Sequence, residues 1–149
     1  MQDHLSRFNQ LFKQMDDIYR QTARESGLSE CALWILYFLR ETQTPLTQRQ
    51  MCGLLMQPKQ SINTALKKME SDGWITLSPS SEDRRSKVLS LTQTGMAIAS
   101  RTADPILRAE AAAFSRFSSK ELENYLALLE RHTNALQMEL SSIFEGVSP

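Results

Sequence analysis

Apolar residues at the start of the chain recur at the spacing of an amphipathic helix. Between residues 4 and 25 they follow one another at alternating steps of three and four, and Gly27 then provides a typical helix stop. The next stretch, "ECALWILYFLR" at residues 30–40, is apolar on nearly all sides and follows Ser29, a residue type that caps helix starts. The pattern predicts an amphipathic helix with one apolar face, followed by a second helix buried in the middle of the fold.

Two further helices are predicted on either side of a proline. Thr47 and Gln50 have the spacing of a capping box, so a short helix begins after Thr47. Pro58 suits the first position of a helix and Gly73 suits its left-handed end, which predicts a second helix over residues 58–72. The residues predicted to turn inward are Met51, Leu54 and Leu55 from the first helix and Ile62, Ala65, Leu66 and Met69 from the second.

After Gly73 the hydrophobic period shortens from 3.6 residues to two. Residues 74–78 and 87–92 each alternate apolar and polar side chains, and a polar stretch separates them, which predicts a two-stranded β-hairpin with a polar tip. A long helical pattern then resumes, with Pro105 expected to kink it. A second capping box at Ser118 predicts a last helix to about residue 144, with a heptad repeat of mostly leucine.

This order of elements predicts a mainly α fold with a small β-hairpin, the winged helix-turn-helix. In such a fold the helix at 58–72 enters the major groove of DNA, and the wing at 79–86 lies at the minor groove. The predicted division is an N-terminal dimerisation helix (1–28), a DNA-binding domain (29–95) and C-terminal dimerisation helices (96–149).

The charge distribution is compatible with this fold but is weak support for DNA binding. The net charge is zero and the pI is about 6.7, whereas dedicated nucleic-acid-binding domains usually exceed a pI of about 9. Residues 47–87, however, contain seven bases and four acids, a net charge of +3, so the remainder carries −3. A modestly basic middle with acidic flanks is typical of a binding module set in a scaffold.

From Leu28 to Gly95 the sequence resembles the multiple-antibiotic-resistance regulators, the MarR family. The matching stretches are "LSECALWILYFL", "LTQRQMCGLLMQPKQSINTALKKMESDGWI" and "EDRRSKVLSLTQTG". The most specific motif is the Asp-x-Arg of the wing (Asp83, Arg85) followed by an apolar strand and Leu-Thr-x-x-Gly at residues 91–95. The resemblance implies a homodimer built from the first and last helices, and repression of transcription that small ligands or oxidation relieve.

Polar side chains on the helix and the wing are the candidate DNA contacts. Glutamine and asparagine can pair with adenine, lysine suits phosphate, and Asp83 can hold Arg85 ready for the narrow minor groove. Gln60, Ser61 and Thr64 are expected to enter deepest. The complete predicted set is Thr47, Lys59, Gln60, Ser61, Asn63, Thr64, Lys67, Lys68, Asp83, Arg84, Arg85 and Lys87. Plain solvated surface is the alternative for both elements.

A small aromatic effector is a second expectation, because the resembled family often binds effectors between its dimer scaffold and its DNA-binding part. The candidate lining residues are Phe8, Phe12, Met15, Trp34 and Tyr37, for which plain core packing is the competing interpretation. Cys31 and Cys52 lie in apolar surroundings and are expected to be structural thiols. The two histidines stand alone, so no metal site and no cofactor is predicted.

Two other function classes compete with DNA binding. A winged-helix module that binds an acidic protein stays open because the pI is near neutral. An enzyme is disfavoured because the sequence has no nucleophile–base pair, phosphate-binding glycine loop or paired carboxylates. No membrane-spanning stretch or signal peptide is evident, which predicts a cytoplasmic location.

Overall fold

The fold is known from a computed structural model that describes residues 2–42, 44–80 and 86–145. In chain order its elements are α1 (Gln2–Glu25), α2 (Glu30–Glu41), β1 (Leu46–Thr47), α3 (Gln48–Leu54), α4 (Lys59–Ser71), β2 (Ile75–Pro79), β3 (Lys87–Leu91), α5 (Gln93–Phe114) and α6 (Ser119–Glu145). The chain divides into two compact units, Met1–Arg108 and Ala109–Pro149. The winged helix-turn-helix order predicted from the sequence is confirmed.

The sheet has three antiparallel strands in the order β1-β3-β2, not the two that were predicted. Leu77 pairs with Leu89 across the predicted hairpin, and Leu46 of β1 pairs with Leu89 from the other side. The additional strand was missed because it is two residues long, too short for any alternation of apolar and polar residues to be recognised. It ties the start of α3 to the hairpin.

Helix α2 lies at the centre of the first unit, as its all-round apolar sequence predicts. Leu33, Ile35 and Leu36 are completely buried. Ile35 and Leu36 belong to the main core with residues of α3, α4 and the sheet, whereas Leu33 packs in a second cluster with Ala23 of α1 and Ile106 of α5. The central helix therefore joins α3, α4 and the sheet to α1 and α5.

The helix ends follow the predicted capping residues, with one shift. The backbone N–H of Ala32 donates to the Ser29 hydroxyl, and both halves of the Thr47–Gln50 capping box are present. Gly73 has a φ of +72°, the left-handed conformation that glycine adopts without steric cost. Pro58 is the N-cap of α4 and not its first helical residue, because its ψ of 136° is still extended.

Leu54 was predicted to turn inward and does not. Its side chain is 43% exposed, whereas Leu55 is only 7% exposed. Helix α3 ends at Leu54, and Leu55 is extended with a ψ of 131°. Because the backbone leaves the helix at this point, Leu55 reaches the core with Met51 while Leu54 does not, which helical spacing could not reveal.

The Leu-Thr-x-x-Gly motif forms a tight junction between the end of α4, the start of β2 and the start of α5. The Thr92 hydroxyl lies 2.5 Å from the carbonyl oxygen of Gly73 and 3.1 Å from that of Trp74, and the Gly95 N–H donates to the hydroxyl at 3.0 Å. A Cβ on Gly95 would lie 1.9 Å from the Trp74 carbonyl oxygen. Position 95 therefore requires glycine because two backbone segments touch there.

A bidentate ion pair links α2 to α5 within the same unit. The Arg40 Nε donates to one Asp104 carboxylate oxygen at 2.7 Å, and its Nη2 donates to the other at 2.8 Å. The two side chains are 31% and 16% exposed, so solvent screens the pair only partly. This hydrogen bonding lowers the pKa of Asp104.

The second unit contains the end of α5 and the last helix, α6, which begins at the capping box that the sequence predicts. The backbone N–H of Ser118 donates to the Glu121 carboxylate at 2.8 Å, and the Glu121 N–H donates to the Ser118 hydroxyl at 3.3 Å. From residue 119 to residue 143, every side chain of α6 except that of Leu122 is exposed. Apart from Leu122, the heptad leucines are thus uncovered within the described part of the chain.

We expect Gly95→Ala to destabilise the fold by about 3 kcal/mol or more, because the new methyl group would overlap a backbone carbonyl that cannot rotate away. Urea denaturation with a constant m-value would measure the loss. Gly53→Ala is the matched control, since nothing lies within 4 Å of a Cβ at this helical position. The control should be neutral or stabilising by roughly 0.5–1 kcal/mol. Equal stability of Gly95→Ala and the wild type would disprove the close approach.

We expect Asp104→Asn to lower the free energy of unfolding at pH 7 by about 1–3 kcal/mol, through loss of hydrogen bonds to a charged partner. Because folding lowers the pKa of Asp104, its stabilisation is present above the unfolded-state value of about 3.9 and is lost as the pH falls through the lower folded value. The gap between wild type and variant should therefore close in acid. Asp16→Asn, which breaks an exposed pair with Arg20, is the control and should have little effect.

Candidate nucleic-acid interface

Helix α4 has one buried face and one exposed polar face. Ile62, Leu66 and Met69 are at most 1% exposed and pack in the main core. Their spacing of four and three residues places them on one side of the helix. The opposite side is therefore held toward solvent by the packing of these three residues, and it carries most of the predicted DNA contacts.

Three exposed side chains lie along the line farthest from the core. Gln60, Thr64 and Lys67 are separated by four and three residues, so they succeed one another on one face of α4. The Thr64 hydroxyl donates to the carbonyl oxygen of Gln60 at 2.9 Å, which leaves its methyl group and its oxygen lone pairs for an outside partner. A row of amide, hydroxyl and ammonium groups can contact base edges and phosphate.

The start of α4 is open to an anion. Pro58 is the N-cap and provides no side-chain hydrogen bond to the first turn. The first N–H groups of a helix lack partners within it, and the helix dipole favours negative charge there. With Lys59 exposed in the same turn, this end of the helix suits a phosphate.

The lysines of α4 differ in their charge environment. Lys68 pairs with Asp72 at 2.9 Å, so part of its charge is neutralised within the protein. Among the described residues, neither Lys59 nor Lys67 has an ion-pair partner within 4.0 Å. Lys59 and Lys67 are accordingly the stronger candidates for phosphate contact.

Besides Thr64 and Lys68, two more predicted contacts are already engaged in hydrogen bonds inside the protein. The Thr47 hydroxyl donates to Gln50 Oε1 at 3.0 Å as part of the capping box. The side-chain oxygen of Asn63 accepts from Gln48 Nε2 at 3.0 Å, and both residues are half-buried. The DNA-contact role of Thr47 and Asn63 stays a prediction, and their geometry favours a role in positioning.

The wing is described only at its stem. Beyond the paired ends of β2 and β3, the Ser80 N–H donates to the carbonyl oxygen of Ser86 at 2.8 Å, and Lys87 is exposed at the first position of β3. The predicted tip residues Asp83, Arg84 and Arg85 lie outside the described residues.

The predicted effector residues fall into two groups. Phe8 and Phe12 stack on each other along α1 with ring centroids 6.1 Å apart. Trp34 and Tyr37 of α2 contact edge to face at 5.4 Å, and Tyr19 of α1 meets Trp34 at the same distance. Tyr19 was not predicted as a member. Met15 lies one turn before it on α1 and is 48% exposed. The effector role of all five residues stays a prediction.

The two cysteines are packed side chains. Cys31 is buried, and burial is the main cause of its raised pKa, with the neighbouring Glu30 adding to it. A raised pKa keeps the thiol protonated and weakly nucleophilic. Cys52 is half-buried against the main core.

None of the helices in residues 2–42, 44–80 and 86–145 combines the length and the apolar character needed to cross a membrane. Within the same residues, no group of three histidine, cysteine, aspartate or glutamate side chains is placed to hold a metal ion.

Gln48 is the residue near this surface that the sequence did not single out. Sequence spacing shows only that it opens α3, since its partner Asn63 is 15 residues away on another helix. Arg49, exposed beside it, adds a further cation at the start of α3. Their relevance follows from how α3 and α4 cross, which no local pattern encodes.

Comparison with known proteins agrees with this geometry. The MarR family model matches residues 26–86. A curated relative, the HTH-type transcriptional regulator PecS of Dickeya dadantii (strain 3937), is 30% identical over 115 residues, which cover 76% of this chain and 65% of PecS. The chain belongs to the MarR family. It spans slightly less than two thirds of the length of PecS.

Solved structures of the MarR family share the fold. NMB1585, a MarR family regulator from Neisseria meningitidis, matches with a TM-score of 0.78 at 22% identity, over 93% of this chain and 97% of that one. MepR of S. aureus in its DNA-binding conformation gives a TM-score of 0.72 at 20% identity, over 87% of this chain and 98% of MepR. The S. aureus MepR–DNA complex gives 0.65 at 20% identity, over 87% of this chain and 93% of MepR.

Proposed function

We propose that this MarR-family protein is a homodimeric, sequence-specific DNA-binding transcriptional regulator. The observation that carries the proposal is the exposed face of α4, where Gln60, Thr64 and Lys67 form one row and the buried face fixes their direction. In this proposal α4 enters the major groove, and the wing at 79–86 reaches the minor groove with Arg85 ordered by Asp83. Arg84 and Lys87 contact phosphate.

A second copy of the chain is the proposed partner of the exposed apolar residues on the first and last helices. On α1, Leu5, Leu11 and Ile18 are 60%, 55% and 63% exposed. On α6, Leu126 and Leu140 are 54% and 46% exposed in a heptad pattern suited to helix packing. Contiguous apolar surface of this kind usually marks an interface. We assign dimerisation to segments 1–28 and 96–149, and DNA binding to segment 29–95.

We further propose that the protein represses transcription and that a small aromatic effector relieves this repression. The rings of Tyr19, Trp34 and Tyr37 meet edge to face where α1 packs on α2, and these elements join the proposed dimer scaffold to the DNA-binding core. An aromatic ligand inserted among these rings would shift α1 relative to α2 and so change the spacing of the two α4 helices. A regulator of this kind must share a compartment with DNA, and we place it in the cytoplasm.

Selection of bound sequences from random duplex DNA tests the proposal directly. We expect an inverted repeat whose half-sites are about one helical turn, roughly 34 Å, apart, because two-fold symmetry presents α4 to successive major grooves. Sedimentation equilibrium should give twice the mass of one chain. Enrichment of a single half-site by a monomer would contradict the homodimer. Failure to enrich any sequence, together with binding to an acidic protein, would favour the alternative of a protein-interaction module.

We expect Lys67→Ala to weaken binding to all DNA sequences by a similar factor. If Lys67 neutralises one phosphate, removing its charge should make the slope of log K against log salt shallower by about 0.9. Fluorescence anisotropy over a salt series measures both quantities. The control is Lys120→Ala, which removes an exposed lysine of α6 outside the helix-turn-helix. A loss of affinity confined to one base position would show instead that Lys67 reads a base.

A further inference from the structure

A side-chain hydrogen bond joins the two helices of the helix-turn-helix. Gln48, the first residue of α3, donates from Nε2 to the side-chain oxygen of Asn63 on α4 at 3.0 Å. Within the described ranges, no other side-chain hydrogen bond connects α3 with α4. Both residues are half-buried, so water competes with this bond less than it would on an open surface.

The bond directs the Asn63 amide toward the protein. Bidentate recognition of adenine requires the oxygen and the nitrogen of an asparagine amide to point together at the base edge. Here the oxygen of Asn63 points toward α3 and accepts from Gln48. Asn63 also lies beside the exposed row of Gln60, Thr64 and Lys67, and not within it. Its amide is arranged to hold α4 in place.

Apolar packing determines which face of α4 is buried, and a directional bond can further restrict the rotation of the helix about its own axis. Ile62, Leu66 and Met69 bury one face, but hydrophobic contact has no directional preference. Pro58 adds no side-chain bond at the start of the helix. A hydrogen bond weakens steeply when its angle departs from linearity, so the Gln48–Asn63 bond opposes such a rotation. Rotation would displace Gln60 and Thr64 from the base edges they face.

We propose that Gln48 and Asn63 form a positioning pair that sets the base selectivity of α4 through Gln60 and Thr64. This inference rests on the proposed function, because it assumes that the exposed face of α4 reads DNA. Gln48 is a specificity-determining residue in this view, although it belongs to the other helix. The pair acts as one unit, so either residue alone is insufficient.

The test measures discrimination at every base pair of the selected half-site for Gln48→Ala, Asn63→Ala and the double variant. Each single variant should lower discrimination at the same two or more base pairs by roughly tenfold, the loss expected when a bidentate contact is misaligned. The double variant should match the single ones within about twofold, because the residues share one interaction. Thr42→Ala, which breaks a 3.2 Å bond to Glu41 at the end of α2, should leave the profile unchanged.

Several results would overturn the pair's role. A change at one base pair for Asn63→Ala, with no effect of Gln48→Ala, would make Asn63 a direct base reader. Lower melting temperatures with an unaltered selectivity profile would make the bond merely structural. If the wild-type protein binds DNA selectively and Gln48→Ala shows the same selectivity, the role of the pair is refuted but the proposed DNA-binding function is not. Wild-type protein that binds no DNA would refute the proposed function, and the pair's role with it.

A conservative variant covers the case in which the alanine variants do not fold. Asn63→Asp keeps an oxygen that accepts from Gln48 and removes the amide nitrogen. The selectivity profile should then persist, while overall affinity falls because a negative charge is added near phosphate. Loss of discrimination at one base pair in Asn63→Asp would show that the nitrogen reads a base, which would overturn the inference.

Discussion

The burial of one face of α4 is the constraint on which the rest of the structure depends. Ile62, Leu66 and Met69 are almost completely shielded from solvent against the core that α2 organises. Because a helix turns its successive residues by a fixed angle, fixing this face also fixes the opposite one. The exposed row of polar residues is thus a consequence of core packing, and the hydrophobic effect that stabilises the fold also presents the surface proposed to read DNA.

Hydrogen bonds and an ion pair then add directional constraints to this apolar packing. The Thr92 hydroxyl joins the end of α4 to the start of α5, and the close approach of Gly95 to Trp74 allows no side chain between them. The Arg40–Asp104 pair connects α2 to α5. These interactions involve few atoms, but each depends on angle as well as distance, so together they give the core a definite geometry.

The charge distribution of the chain suits DNA recognition by a few individually positioned side chains better than recognition by a strong overall electrostatic field. The net charge is zero, and Lys68 is partly neutralised by Asp72. Long-range attraction to DNA is accordingly modest, and the proposed affinity depends on Lys59, Lys67 and the wing. Two such modules in a dimer would double these interactions on one duplex. The exposed apolar residues of α1 and α6 form the surface through which we propose that the chain dimerises.

Local sequence determined the elements and their order, because helical and strand periods, caps and turn residues act over a few neighbouring positions. The capping boxes at Thr47 and Ser118 and the two faces of α4 all follow from such patterns. Tertiary structure alone decided the contacts between distant residues. The pairing of Leu46 with Leu89, the exposure of Leu54 beside the buried Leu55 and the Gln48–Asn63 bond belong to this class. Each depends on how whole elements cross in space, and that arrangement is set by the sum of many interactions which no short stretch of sequence contains.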